Sequence, residues 1–256
     1  MKKPIVLVII NQKGGVGKTT TAINLTAGLK LMGKKVLGID LDPQGHFSKF
    51  IGISTTGKGT ITELMKKETT FDKVLIQTKY GDIIPSDNRL QDYLMKLTTD
   101  INGIYAIQKL VNEVGERYDY VVIDCPPAVN HFTLAALAAG TKIIIPTECE
   151  YLSIDGVNMI IETIEAIKER LNPNLKVEGI LLVKYQPRRG LTQDVETFLE
   201  KVAKTRFKSK VFQAKIRATV DVPTSQGFKQ SVFEYNPKSN ASKDYAKLVK
   251  EIVGVE

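Results

Sequence analysis

The string Lys-Gly-Gly-Val-Gly-Lys-Thr-Thr at residues 13–20 has the residue types and the spacing that bind a phosphate group. Its glycines let backbone N–H groups turn inward and approach an anion closely. Lys18 can reach the β- and γ-phosphates of a nucleotide, and the Thr19 hydroxyl can coordinate Mg²⁺. Residues 5–10 predict a buried strand before the string, and residues 22–31 predict a helix after it. Strand, glycine loop and helix N-terminus together predict a phosphate-binding loop.

The loop departs from the standard pattern G-x-x-x-x-G-K-[ST] at its first position, where the chain has Gln12. A second lysine, Lys13, stands directly before the first glycine of the string. The string resembles the deviant Walker A motif of the ParA/MinD group of P-loop ATPases, which implies ATP and Mg²⁺ as cofactors. The predicted nucleotide-binding residues are Lys13, Gly14, Gly15, Val16, Gly17, Lys18, Thr19 and Thr20.

Aspartates follow two further predicted strands. The apolar run at residues 36–39 leads into Asp40 and Asp42, which point the same way from the end of that strand. The run at residues 120–123 ends in Asp124, and an apolar strand with this ending has the Walker B form, whose carboxylate holds Mg²⁺, usually through water. A doubly wound parallel sheet would bring these carboxylates beside the phosphate loop. Because Asp-Pro also commonly starts a turn, one of the first two aspartates could be only a cap.

Strands alternate with helices along the whole chain, which predicts an α/β fold with a doubly wound, mostly parallel sheet. The 256 residues, 43% of them hydrophobic, show no repeat and no linker, so we expect a single domain over residues 1–256. No apolar run approaches the roughly 20 residues that span a bilayer. The N-terminus lacks the cleavage site of a signal peptide. Two cysteines, Cys125 and Cys149, are too few for a disulfide framework or a zinc site, and a cytoplasmic location is expected.

The positive charge of the chain is concentrated in one segment. The net charge is +8, and residues 184–250 contain fifteen Lys/Arg against six acids, a balance of +9. A basic face of this kind attracts a polyanion, although a solvated, lysine-rich surface would give the same count. Loops beyond predicted strands carry the candidate DNA-binding residues of this segment, which are Arg188, Arg189, Lys215 and Arg217.

Several motifs together extend the resemblance over nearly the whole chain. Their order and spacing resemble the ParA/Soj family of chromosome- and plasmid-partition ATPases. The first predicted strand begins at residue 5, so the chain is expected to be like the smaller members, which lack an N-terminal helix-turn-helix domain. The motifs lie at residues 13–20, 40–45, 121–127, 146–156 and 233–239.

The resemblance implies a sandwich dimer with two ATP molecules at its interface. Lys13 matches the signature lysine that reaches across to the partner's phosphates, and Lys18 serves the nucleotide of its own chain. Asp42 matches the residue that orients the attacking water. Asp40 and Asp124 would support Mg²⁺ together with the hydroxyl of Thr19. Hydrolysis of this kind depends on positioning and charge neutralisation, and it should be slow without a stimulating partner.

The resemblance also implies partners. Dimers of the family bind double-stranded DNA without sequence preference, release it after hydrolysis, and are stimulated by a ParB-type centromere-binding protein. Such a protein is cytoplasmic and nucleoid-associated, with no membrane contact expected. Two departures from the family pattern are His46, where asparagine is usual, and the loop at residues 215–223, which does not match the commonest members closely.

Three other functions are compatible with a phosphate loop of this kind. A MinD-like, membrane-associated regulator of cell division needs a C-terminal amphipathic helix, but the apolar stripe at residues 245–253 is short. A metal-cluster reductase of the nitrogenase iron-protein kind needs paired interface cysteines, which Cys125 and Cys149 match poorly. A small-molecule ligase of the dethiobiotin synthetase type would show no affinity for DNA.

Overall fold

The computed structural model describes residues 3–100, 102–150, 152–187 and 190–255. Within these ranges, the side chains of residues 152–156, 158, 190 and 191 are not described. No helix in the described part of the chain is both long and apolar enough to cross a membrane.

The centre of the fold is a seven-stranded sheet with the strand order β3-β4-β2-β5-β1-β6-β7. Every neighbouring pair is parallel except β3 and β4, which form an antiparallel edge. The prediction of a doubly wound, mostly parallel sheet is therefore confirmed. The strands are β1 (Ile5–Ile9), β2 (Val36–Asp40), β3 (Ile76–Thr78), β4 (Gly81–Ile84), β5 (Tyr120–Asp124), β6 (Lys142–Glu148) and β7 (Lys176–Val183).

Helices cover both faces of this sheet. They are α1 (Lys18–Leu31), α2 (His46–Phe50), α3 (Ile61–Met65), α4 (Phe71–Val74), α5 (Arg89–Thr99), α6 (Ala106–Val114), α7 (His131–Ala139), α8 (Leu152–Arg170), α9 (Gly190–Phe207), α10 (Asp221–Gly227), α11 (Val232–Tyr235) and α12 (Asn240–Val253). Alternate residues of β1 belong to different cores: Val6 and Val8 pack in one cluster, while Leu7 and Ile9 pack in the other. This alternation explains why the strand is apolar at every position, because both of its faces are buried.

The helix after the phosphate loop, α1, is held on several sides. Ten of its fourteen residues are buried, so it lies between the sheet and other helices. The Asn24 Oδ1 atom accepts a hydrogen bond of 2.9 Å from the backbone N–H of Val232 at the start of α11. A Cβ atom at Gly28 would lie 2.6 Å from Val249 of α12, so only glycine permits this close approach between the two helices. The C-terminal helix is thus part of the support of the loop.

Two elements of the structure differ from those that the sequence predicts. The apolar residues 74–76 predict a short strand, but Phe71–Val74 is helical and the strand begins at Ile76. Residues 215–227, which include Pro223, predict a loop, but Asp221–Gly227 forms α10. Pro223 suggested the loop, yet it occupies the first turn of this helix, where the missing N–H would have no intrahelical partner.

A candidate nucleotide-binding site

The phosphate loop joins β1 to α1 with two of its three glycines in the left-handed conformation. Gly15 and Gly17 both have φ of 75°, a backbone region that L side chains rarely adopt. Gly17 is the N-cap of α1, and no side chain caps that end. The first turn of α1 contains no acidic residue. This end of the helix therefore presents unsatisfied amides and a partial positive charge to an anion.

Lys18 lies at the inner side of this loop. It is 7% exposed, and its Nζ donates a hydrogen bond of 2.9 Å to the carbonyl oxygen of Lys13. Burial lowers the pKa of Lys18, while the carboxylate of Asp124 acts in the opposite direction. Among the residues that the structure describes, the buried ammonium group is tethered only to this backbone carbonyl, so it is available to an incoming phosphate.

The register of the sheet brings two of the predicted metal-binding carboxylates together. Asp40 is opposite Asp124 on the adjacent strands β2 and β5, and both are fully buried. Asp40 is well satisfied: its carboxylate accepts hydrogen bonds from the backbone N–H groups of Asp42 and Ser48 and from the Ser48 hydroxyl. Burial raises its pKa to about 7, although the bonds from Ser48 lower it.

Asp124, unlike Asp40, has a carboxylate with few hydrogen-bonding partners. Both of its carboxylate oxygens are buried without a hydrogen-bond partner of ordinary geometry in the described part of the chain. Burial and then the charge of Asp40 raise its pKa well above the usual carboxyl value, and the neighbouring Thr19 hydroxyl lowers it. Buried carboxylates normally have partners, so these oxygens fit a site that a cation and its waters would complete.

Asp42 lies at the rim of this carboxylate pair. It is 7% exposed, and its Oδ1 accepts a hydrogen bond of 2.9 Å from the backbone N–H of Gln44. Among the described residues, no three His, Cys, Asp or Glu side chains are placed to hold a metal ion on their own. Magnesium typically uses only one or two carboxylates together with waters and nucleotide oxygens, so the residues present fit a nucleotide-dependent Mg²⁺ site.

Lys13 points away from the loop interior. Its Nζ forms an ion pair of 2.9 Å with Glu150, on the loop after β6. Its backbone N–H donates a bond of 3.0 Å to the side chain of Asn11, whose amide in turn donates 2.6 Å to the carbonyl of Pro146. The two loop lysines therefore face different surroundings, with Lys18 inside and Lys13 at the surface between two loops.

A pocket of about 340 Å³ opens beside the phosphate loop. One wall is the loop itself at Gly15 and Gly17, and the other is the segment that includes α10. A hydrogen bond of 2.6 Å from Gln226 Nε2 to Thr20 Oγ1 joins the two walls. The remaining lining residues include Val183, Ile216, Thr219, Val222 and Pro223. The pocket is mostly apolar with a few polar groups, as a planar base requires.

The structure describes two of the four basic residues that are predicted to contact DNA. Arg188 and Arg189 lie outside the described residues. Lys215 forms an ion pair with Glu196 and lies over the ring of Tyr185. Arg217 donates from Nε and Nη2 to both oxygens of Asp244, at 2.9 and 2.7 Å. The charges of these two residues are thus partly neutralised within the chain, and their role in DNA binding stays a prediction.

Sequence reasoning did not assign roles to three residues that shape this site. Asn11 accepts a hydrogen bond from the backbone at the start of the phosphate loop. Ser48 donates to the carboxylate of Asp40, and Gln226 donates to the hydroxyl of Thr20. Asn11 lies only two residues before the string at residues 13–20 and could have been noticed there. Ser48 and Gln226 had no local signal, since each acts only through the folded contact.

Replacing Gly45 with alanine is expected to lower the free energy of unfolding by about 2–4 kcal/mol. Gly45 has φ of 61°, and a Cβ there would lie 2.6 Å from the backbone oxygen of Ser86. Gly57→Ala is the matched control, because Gly57 has φ of 69° but open space around it, and it should cost only about 1–2 kcal/mol. Urea denaturation of both variants measures the difference; equal losses would contradict the steric argument.

Comparison with known proteins places the chain in a family. A family model described as an AAA domain matches residues 4–177. The chromosome partitioning proteins ParA of Myxococcus xanthus and Caulobacter vibrioides are 34% and 35% identical, covering 97% and 98% of this chain and 87% and 94% of theirs. The chain belongs to the ParA/Soj family of partition ATPases.

The ParA/Soj fold of this chain also matches a crystal structure with nucleotide bound. Cobyrinic acid a,c-diamide synthase from Mycobacterium smegmatis, with bound ADP and magnesium, has a TM-score of 0.85 and 28% identity, and the match covers 98% of this chain and 94% of that one. A structurally related protein thus holds both groups that the ParA/Soj motifs imply.

Proposed function

We propose that this protein is a ParA-type DNA-partition ATPase that works through an ATP-dependent sandwich dimer. The dimer binds double-stranded DNA without sequence preference in the cytoplasm, on the nucleoid. Hydrolysis of ATP, stimulated by a ParB-type centromere-binding protein, releases the DNA. The observation that supports this proposal most is the placement of the two loop lysines, because Lys18 faces the phosphate site and Lys13 lies outside it.

The residues of one chain divide the work at the nucleotide. Lys18 and the amides of residues 14–20 hold the phosphates, and the pocket beside α10 takes the base and ribose. Asp42, at the rim of the buried carboxylates, orients the attacking water. Thr19, Asp40 and Asp124 would hold Mg²⁺, which supplies neutralisation of charge on the β- and γ-phosphates. Lys13 completes the phosphate site of the facing subunit, where a further positive charge stabilises the transition state.

Two other functions are less well supported. Cys125 and Cys149 are 1% and 8% exposed, so a partner subunit could not share a metal cluster with them. The apolar face of α12 that would insert into a membrane is already buried, at Tyr245, Leu248, Val249 and Ile252. A MinD-like function that used this face would require the helix to leave the core, at the cost of the apolar burial that these residues have there.

A DNA-retention experiment tests the proposal. The protein is passed over immobilised duplex DNA with Mg²⁺ and either ATP, ADP or no nucleotide, while sedimentation reports its oligomeric state. Retention with ATP alone, together with dimer formation, is the expected result. A monomer with ATP, or equal retention in all three conditions, would contradict the proposal. Nucleotide turnover without any DNA retention would instead favour a small-molecule ligase.

Replacing Arg217 with alanine is expected to weaken DNA binding. Loss of one phosphate contact should lower the slope of log K against log salt by about 0.9 per chain. The Arg217 side chain is 40% exposed despite its pair with Asp244, so it can still face a phosphate. Arg206→Ala is the control, because Arg206 is also paired, with Glu165 at 3.0 Å. Arg206 lies near the C-terminal end of α9.

Fluorescence anisotropy with labelled duplex at several salt concentrations gives both slopes. Unchanged affinity and slope for Arg217→Ala would remove this residue from the DNA-binding face. Dimerisation with ATP is measured in parallel for two reasons. Asp244 is buried and loses its partner in this variant, and Arg217 also lines the pocket beside the phosphate loop. A variant that fails to dimerise is tested again as Arg217→Ala with Asp244→Ala, in which no unpaired carboxylate remains.

A further inference from the structure

Two acids, Glu148 and Glu150, lie at the carboxyl end of β6 and just beyond it, and the second of them contacts the phosphate loop. Glu150 pairs with Lys13 at 2.9 Å, and Glu148 pairs with Lys184, after β7, at 2.7 Å. Asn11 connects the end of β6 to the phosphate loop, because its amide donates a hydrogen bond of 2.6 Å to the carbonyl oxygen of Pro146. Glu150 therefore follows a strand end that is itself bonded to the phosphate loop, and its carboxylate pairs with Lys13.

Lys13 is held at three of its groups in this arrangement. Its N–H donates to Asn11, its carbonyl accepts from Lys18, and its Nζ contacts Glu150. Only the last of these contacts involves the charged group that the proposed function sends to the partner's phosphates. The ammonium must leave a carboxylate before it can serve a triphosphate in the facing subunit.

We propose that Glu150 is a resting-state counterion for Lys13, which holds the signature lysine within its own subunit and so opposes ATP-dependent dimerisation. This inference rests on the proposed sandwich dimer. Two effects act in the same direction. The ion pair keeps Lys13 turned toward its own chain, and the carboxylate of Glu150 adds negative charge close to the place where the partner's triphosphate arrives.

The size of the effect follows from exposure. The side chains of Lys13 and Glu150 are 31% and 47% exposed, so the pair is partly screened by water. Ion pairs of this kind change an equilibrium by a factor of about two to five. This counterion therefore tunes the threshold for dimerisation and does not block it, and the incoming phosphates, with more negative charge, displace it.

Glu150→Gln keeps the shape of the side chain and removes its charge, so it tests the proposal directly. The variant should reach half-maximal dimer at an ATP concentration about two- to fivefold lower than the wild type, as measured by sedimentation with Mg²⁺ present. Glu178→Gln is the matched control, because Glu178 pairs with Lys142 at the same distance of 2.9 Å. This pair lies at the opposite end of the strands from the phosphate loop. The control should leave the ATP requirement unchanged.

Each outcome has a separate meaning. An ATP requirement that is unchanged or higher in Glu150→Gln would overturn the role of Glu150 as a restraining counterion. A wild-type protein that stays monomeric at saturating ATP would contradict the proposed function itself. The melting temperature of the nucleotide-free variant is recorded as well, because a purely structural role of Glu150 would lower it without lowering the ATP requirement.

Discussion

Replacement of Lys18 by alanine is expected to abolish ATP turnover, lowering kcat at least about a hundredfold. The ammonium group is buried, and its hydrogen-bond partner, the carbonyl oxygen of Lys13, is uncharged. Its positive charge therefore remains available to the phosphates, where new negative charge develops during hydrolysis. Loss of one such preorganised donor typically lowers kcat by a factor of about 10²–10³.

Phosphate release under saturating ATP and Mg²⁺ measures this loss. Lys142→Ala serves as the control, because Lys142 is also partly buried and its Nζ also donates a bond of 2.9 Å, to Glu178. It lies at the opposite end of the strands from the phosphate loop, so its removal should leave turnover unchanged. Normal turnover in Lys18→Ala would refute the assignment of the phosphate loop.

Asp124→Asn is expected to stabilise the nucleotide-free protein while it abolishes hydrolysis. Both oxygens of Asp124 are buried and lack hydrogen-bond partners of ordinary geometry in the described chain, and Asp40 lies opposite on the next strand. An amide of the same shape removes the cost of burying this carboxylate without partners, which should raise the free energy of unfolding by about 1–3 kcal/mol. The same substitution removes the carboxylate that fits Mg²⁺, so the gain in stability comes with loss of function.

Asp40→Asn is the informative comparison. Asp40 is as deeply buried, but its carboxylate accepts bonds from Ser48 and from the N–H of Asp42. An amide cannot accept all of these bonds, so this variant should be less stable than the wild type by about 1–3 kcal/mol. Chemical denaturation without nucleotide measures both changes. Destabilisation of Asp124→Asn would show that the carboxylate has a partner that stabilises the fold.

The sequence predicted the parts of this site that depend on neighbouring residues. The glycine loop, the strand before it and the helix after it are local, and all three occur in the predicted order, although the helix begins at Lys18 rather than at residue 22. Asp40 and Asp124 were also placed well, because parallel strands end at one edge and the register makes these two residues neighbours. The doubly wound sheet followed from the regular alternation of strands and helices.

Contacts between distant segments could not be predicted in this way. The bond from Gln226 to Thr20 joins residues 206 positions apart, and it forms only because α10 packs beside the phosphate loop. Lys215 and Arg217 appeared as free positive charges in the sequence, but their acidic partners come from α9 and α12. A count of charges does not reveal which of them are already neutralised within the fold.

The burial of α1 has a consequence for how a nucleotide can act at a distance. This helix is enclosed on most of its surface, with Asn24 tied to α11 and Gly28 pressed against α12. Tilting or sliding it would separate well-packed side chains and leave an amide of α11 without its acceptor. In the proposed function, a nucleotide bound in the loop would therefore act through movement of surface side chains and of whole subunits, while α1 keeps its position in the core.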